Sequence, residues 1–505
     1  MTKKINCRNS YWDSTLNNPV SYPPLTQDLD ADVVVVGAGI VGLTAAETLC
    51  REGKSVVVLE ALCIGSQVTA RSTAKVTSQH GMRYKGLIDD VGKDNARLYA
   101  QVNEAAINEM EQLIAREGIH CAFERKPAYL YSTEASAVRS IKAEAEAAAS
   151  LGLPARLTTD IQAAIKVEAA LCFDNQAQLN PVQYLSGLAA VVARKAPVFE
   201  MSRVTGIEHG EPCRVKTEAG ATVTARDVIV ATHQPIVPDG KFFAKAFPFS
   251  HSVVAAPLEA SRAPGGMCIT SGEPSFSFRD DASGSQRYLI AVGPTFKTGV
   301  AEAEADSFRQ LERFVRETFG IESPAYRWTN EDFAPMDGLP FVGRATSGSP
   351  HFFVALGFNA WGITTGVAAA ALITDLIMDR SSPCAELFDA SRIRPLKGGA
   401  EFLKGNVQAA KHFVGDRFGI PAEDVDLAPG QATITRINDE KVAVYCDDAG
   451  TTHAVSAVCT HMGCLVGWNQ TDRSWDCPCH GSRFDTDGKV LHGPATSPLE
   501  KVTEG

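Results

Sequence analysis

Four side chains near the C-terminal end have the types and spacing of a metal centre: Cys459 with His461, and Cys477 with His480. Two thiolates and two imidazoles suit either an iron–sulfur cluster or a zinc ion. Two further cysteines, Cys464 and Cys479, sit one in each of the same loops. Toward the other end, "VVVVGAGIVG" sets Gly37, Gly39 and Gly42 directly after an apolar run. There Gly37 permits a tight turn, Gly39 lets the backbone approach a pyrophosphate, and Gly42 lets the next helix pack closely on the strand.

These glycines need a strand before them and a helix after them, and both are legible. Val33–Val36 reads as a buried parallel strand, Leu43–Arg51 as a helix, and Val56–Leu59 as a second strand ending at Glu60, whose carboxylate can accept hydrogen bonds from a ribose diol. Ile40 and Ala61 flank the turn and the acid. "TARDVIVATHQP" reads as a later strand of the same sheet, ending in small residues at Ala231 and Thr232. "FVALGFNAWGITTG" is a strand, a turn at Gly357 and a helix start at Gly362, Ile363 and Thr364, where the helix dipole would stabilise negative charge. Between the acid and the next helix lies "IGSQVTARSTAKVTSQHG", whose hydroxyls, Ser72 and Thr73 among them, suit close packing on a pyrophosphate or ring; Lys75 and His80 are its ionisable members.

The order of these motifs resembles the D-amino-acid oxidase, glycine oxidase and sarcosine oxidase superfamily of FAD enzymes over roughly residues 31–390. That resemblance implies an α/β and α+β architecture: a Rossmann-like FAD-binding domain (about 31–105, 160–235 and 330–390) with an interleaved antiparallel-sheet substrate domain (about 106–159 and 236–329), after an N-terminal extension, 1–30. It implies that FAD is held non-covalently by Gly37, Gly39, Ile40, Gly42, Glu60, Ala61, Ser72, Thr73, Val204, Ala231, Thr232, Gly357, Gly362, Ile363 and Thr364. A second dinucleotide turn for a nicotinamide is absent. The catalytic residues stay unassigned, with Lys75, His80, His251 and Trp361 as candidates. Where amino-acid oxidases of this kind often carry an arginine for the substrate carboxylate, this chain has Glu331 and Asp332, which slightly favours a cationic amine.

From about Asp426 short alternating strands, "QATITRI", "KVAVYCDD" and "THAVSAV", predict a small all-β domain over 426–505, after a linker and helix over 391–425. Within it "CTHMGC" and "CPCHGS" resemble the Rieske proteins of cytochrome bc complexes. The resemblance implies a Rieske [2Fe–2S] cluster on Cys459, His461, Cys477 and His480, a disulfide between Cys464 and Cys479, and a cluster hydrogen bond from Ser482. Phe484 stands where those proteins have a tyrosine, which removes one donor and predicts a lower potential.

At 505 residues and a net charge of −11, the chain can hold two or three domains and is not built to bind nucleic acid or an anionic membrane. No apolar stretch is long enough to span a bilayer. Thirteen cysteines without an export signal fit a cytoplasmic protein. The expectation is an enzyme that oxidises a C–N bond in an amine, N-methylated amine or amino acid and passes electrons through the cluster to an external acceptor. The alternatives are a flavin reductase or oxygen-activating enzyme fed through the cluster by an external donor, and a non-catalytic electron-transfer or redox-sensing protein. A homo-oligomer is admitted.

Overall fold

The computed structural model describes residues 10–16, 19–163, 165–393 and 426–502. Most of the expected linker and helix over 391–425 therefore lies outside the described residues.

Strand Leu29–Val36 runs through the middle of a mixed eight-stranded sheet, parallel to Val56–Leu59 on one side and Thr222–Val230 on the other. Its last four valines are buried on both faces, as a parallel strand covered on either side requires. Helix Ile40–Arg51 follows the glycine turn and packs against helix Gly362–Ile377. Gly366 permits that approach, since a Cβ there would lie 2.9 Å from Ile40.

The second sheet has nine strands and is mainly antiparallel, in the order Tyr326–Pro335, Ala246–Pro257, Tyr288–Phe296, Ser277–Asp281, Met267–Thr270, Glu124–Ser132, Ala169–Gln178 and Lys75–Val76, with Ala155–Thr158 alongside. Strand Ala169–Gln178 belongs to this sheet, although the sequence reading assigns it to the nucleotide-binding segment 160–235. Most of strand Tyr326–Pro335 stands likewise, its last six residues having been assigned to 330–390. Both are hydrogen-bonded to substrate-domain strands, and Lys75–Val76, from the segment that follows Glu60, closes the edge of the same sheet by pairing with Ala177 and Gln178. Helix Lys93–Glu117 buries Ala96, Tyr99, Ala100, Asn103, Ala106, Ile107, Met110 and Leu113, one face at helical spacing, and leaves its charges outside.

Two aromatic residues of the N-terminal extension are part of the core. Tyr11 and Trp12 are buried; Trp12 Nε1 donates to the Ser72 carbonyl (2.8 Å) and the Tyr11 hydroxyl to Asp281 (2.9 Å).

The C-terminal unit has a three-stranded antiparallel sheet (432–437, 440–446, 452–456) and a four-stranded one (467–469, 474–476, 483–484, 490–492) around Ala443, Val455, Trp475 and Phe484. It is bolted to the front of the molecule. Asp472 accepts from Arg71 (2.5 Å), Arg483 (2.7 Å) and the Thr329 hydroxyl (2.6 Å), Thr471 donates to Glu304 (2.6 Å), and Arg203 donates to the Val490 carbonyl (2.6 Å). The backbones touch as well: a side chain on Gly467 would run into the Gly299 carbonyl.

Candidate functional site

The glycine turn needs its residue types. Gly37 has φ +104°, and a Cβ there would lie 2.6 Å from the Ala231 carbonyl oxygen. A Cβ on Gly42 would enter the Gly37 carbonyl, so the helix sits directly on the turn. The turn opens into a cavity lined at this end by Gly37, Gly39 and Ile40, with Glu60 and Ala61 beside them. Glu60 accepts from the Ala38 and Leu62 amides (2.9 and 3.0 Å) and is desolvated, which raises its pKa. Ser72, Thr73, Lys75, Val204, Ala231, Thr232, Trp361, Gly362 and Ile363 face the same cavity. A turn with no room for a Cβ, a helix N-terminus and a buried acid form a cradle that fits a dinucleotide.

Three expected site residues stand behind the wall. Gly42 packs helix on turn, Gly357 (φ +74°) turns the chain against Pro335, and the Thr364 hydroxyl accepts from the Thr77 amide (2.9 Å).

The four catalytic candidates separate. His80 does not reach the cavity: its ring nitrogens contact the Tyr99 hydroxyl (2.7 Å) and the Thr77 carbonyl (2.8 Å), and the ring stacks on Trp361 at 4.7 Å. Burial lowers its pKa to about 3, so it is a neutral support for Trp361. Trp361, Lys75 and His251 do line the cavity. Lys75 Nζ donates to the Cys268 carbonyl (2.8 Å) and to the Ser277 hydroxyl, and burial pulls its pKa down to about 7. Oδ1 of Asn330, another cavity residue, is buried without a hydrogen-bond partner, and the His251 ring has no side-chain partner and only the Gly293 backbone beside it. Both can meet a ligand.

Glu331 and Asp332 do not form the acidic pair that the sequence suggests. Neighbours on a strand point to opposite faces. Asp332 faces the cavity, but its carboxylate accepts from the Phe333 and Ala360 amides (2.7 and 2.5 Å), and burial raises its pKa to about 6. Glu331 turns to the C-terminal unit, where a side chain on Gly481 would strike its carboxylate.

In that unit the rings of His461 and His480 lie 4.9 Å apart at nearly right angles, and the Nδ1 atom of each is buried without a partner. The Cys459 and Cys477 thiols share a hydrogen bond that holds Cys459 down to about 7 and pushes Cys477 up. Two sulfurs and two orphaned imidazole nitrogens are of the types that a Rieske cluster takes. Cys464 and Cys479 are bonded to each other. Ser482 hydrogen-bonds Cys459 and accepts from the Ala495 amide (3.0 Å). Phe484 is fully buried and pairs with Trp475 and Val490 in the ladder. Phe243, from the front of the molecule, sets its ring edge-on to both histidines at 5.7 and 5.4 Å.

The sequence gives no signal for the residues that join the sites. Leu491, His492 and Gly493 line the cavity that begins at Gly37, as do His233 and Arg203. No motif marks them, because each acquires its role only when two distant segments dock.

Comparison with known proteins agrees with this geometry. Residues 32–376 match the family model for FAD dependent oxidoreductases, and residues 420–503 match that for the Rieske [2Fe-2S] domain. The chain is 33% identical to the Rieske 2Fe-2S iron-sulfur protein YhfW of Bacillus subtilis (strain 168), over 98% of this chain and 97% of that one. Among solved structures, glycine oxidase from Geobacillus kaustophilus superposes with a TM-score of 0.60 at 17% identity, covering 72% of this chain and all of that one. L-proline dehydrogenase from P. horikoshii superposes with a TM-score of 0.60 at 19% identity, covering 73% and 98%.

Proposed function

The chain belongs to the FAD dependent oxidoreductase family and carries a Rieske [2Fe-2S] domain at its C-terminal end, and from that premise we propose that it oxidises a C–N bond of an amine, N-methylated amine or amino acid and delivers the electrons through the cluster to an external one-electron acceptor. FAD held at Gly37, Gly39 and Glu60 would supply a hydride acceptor, and a cluster on Cys459, His461, Cys477 and His480 would supply one-electron transfer.

One observation carries this reading: strand Val490–His492 of the cluster-bearing unit is part of the wall of the cavity that starts at the dinucleotide turn. A shared wall supports transfer within one molecule. The chain's own residues supply the rest. His251 and Asn330 offer polar atoms to position a substrate. Lys75, with a pKa of about 7, is in part a neutral amine near neutrality and can take the proton that a substrate ammonium must lose before hydride transfer. Asp332 is committed to backbone amides, so a substrate cation gains no free counter-ion from it. The external acceptor meets the loop around His461, where Val458 and Met462 are exposed. The likeness of the fold to glycine oxidase and L-proline dehydrogenase makes amino acids the first class to try.

The test is an anaerobic titration of the purified protein with amines, N-methylated amines and amino acids, following flavin and cluster absorbance together. Bleaching of both by one compound class is expected; flavin bleaching with the cluster left oxidised would contradict the relay.

A further inference from the structure

His492 stands between the two sites. It is 7% exposed, lines the cavity, and packs its ring 5.6 Å from His233, another cavity residue. On its other side Nδ1 lies 3.5 Å from the Gly481 carbonyl and 3.8 Å from Glu331. The Gly481 carbonyl can only accept, so Nδ1 donates toward it. Gly481 is bonded to His480, one of the two cluster histidines. The placement is built rather than incidental. His492 pairs with Arg483 in the ladder, and Arg483 is fixed by Asp472 and Asp476 (2.7 and 3.0 Å). Phe333 packs its ring against both His233 and His492, and a side chain on Gly481 would lie 2.7 Å from the Phe333 ring. The fit is tight throughout.

We propose that His492 is a positioning residue that joins the two cofactor sites, closing the FAD cavity on one side and holding the second cluster loop, through Gly481, on the other. The inference rests on the relay proposed above and names its bridge. Two electrons leave the reduced flavin singly, each reducing the oxidised cluster once, and an external one-electron acceptor reoxidises the cluster between them. The path from the cavity wall to His480 is then one hydrogen bond and one residue long. Because the same ring touches both sites, occupancy of one is felt at the other, and the effect is reciprocal.

The experiment uses the full-length holoprotein. Flavin is reduced by light under anaerobic conditions with EDTA as sacrificial donor, without substrate, and cluster absorbance is followed in the wild type, His492→Phe and His492→Gln. Phenylalanine fills the space and loses the donor; glutamine keeps one. Cluster reduction is expected to slow at least about tenfold in His492→Phe, some 1.4 kcal/mol of barrier, and to be largely restored in His492→Gln. A second readout needs no electron transfer between the sites: the EPR spectrum of the dithionite-reduced cluster, with FAD bound and after FAD removal. It is expected to change with FAD in the wild type and to be insensitive in His492→Phe. Transfer at the wild-type rate together with an FAD-sensitive spectrum in His492→Phe would overturn the bridge while leaving the relay standing. A wild type whose cluster stays oxidised beside reduced flavin would overturn both. If His492→Phe does not fold, the wild-type spectrum decides: indifference to FAD removal contradicts the coupling, and a change supports it.

Discussion

At the scale of single residues, a few groups have their protonation set by their surroundings. Lys75 is the clearest. Burial favours its neutral form and brings its pKa to about 7. If it takes the substrate proton, the rate of flavin reduction at limiting substrate rises with pH through about 7, and the Lys75→Met variant loses that inflection; stopped-flow absorbance over a pH series checks it. Removing the donor or the acceptor from the cluster site has a sharper outcome. Cys459→Ser or His480→Ala is expected to abolish the reduced-cluster EPR signal, since each removes one of the four candidate donors. His80 is the counter-example. It reads as an ionisable group near the ring, but the structure gives both its nitrogens protein partners, so His80→Phe should affect packing more than the pH profile.

At the scale of elements, the junction between the front of the chain and its C-terminal unit concentrates the polar energy. Burial alone would raise the pKa of Asp472, yet the guanidinium groups of Arg71 and Arg483 outweigh it and hold the carboxyl at about 2. The unfolded chain has an aspartate pKa near 3.9, so this contribution is complete above about pH 4 and is lost as pH falls toward 2. Asp472→Ala leaves the Arg71 guanidinium without a carboxylate in a buried junction, while Arg483 keeps Asp476. The expected cost is about 3–5 kcal/mol, seen in denaturant unfolding, and wild type and variant should converge below about pH 2. The glycine turn is the other critical element. Gly37→Ala combines a left-handed φ with a clash on the Ala231 carbonyl, so the variant should lose FAD on gel filtration while its far-UV circular dichroism stays close to wild type.

At the scale of the whole molecule, what could be read from the chain and what could not divide on a physical line. The dinucleotide turn, Glu60, the four candidate cluster ligands and the all-β tail are local patterns whose meaning lies within a few tens of residues. The assignment of Ala169–Gln178 to the second sheet and the burial of Tyr11 and Trp12 depend on contacts between distant segments, which periodicity does not encode. The facing of Glu331 is intermediate: alternation gives opposite faces to neighbours, but which face meets the cavity is decided by docking. The same holds for His492, which lies in no motif and yet touches both sites. Among the described residues no helix is long and apolar enough to cross a membrane, and the two redox units are held together by Arg71, Asp472, Thr329, Glu304 and Thr471. A fixed junction makes the central claim a kinetic one: electrons reach the cluster from the flavin of the same chain. The most direct measurement is the rate of cluster reduction after a light pulse that reduces flavin, recorded anaerobically across a wide dilution series. One first-order rate is expected at every protein concentration; a rate that falls in proportion to dilution would mean that electrons pass between molecules instead.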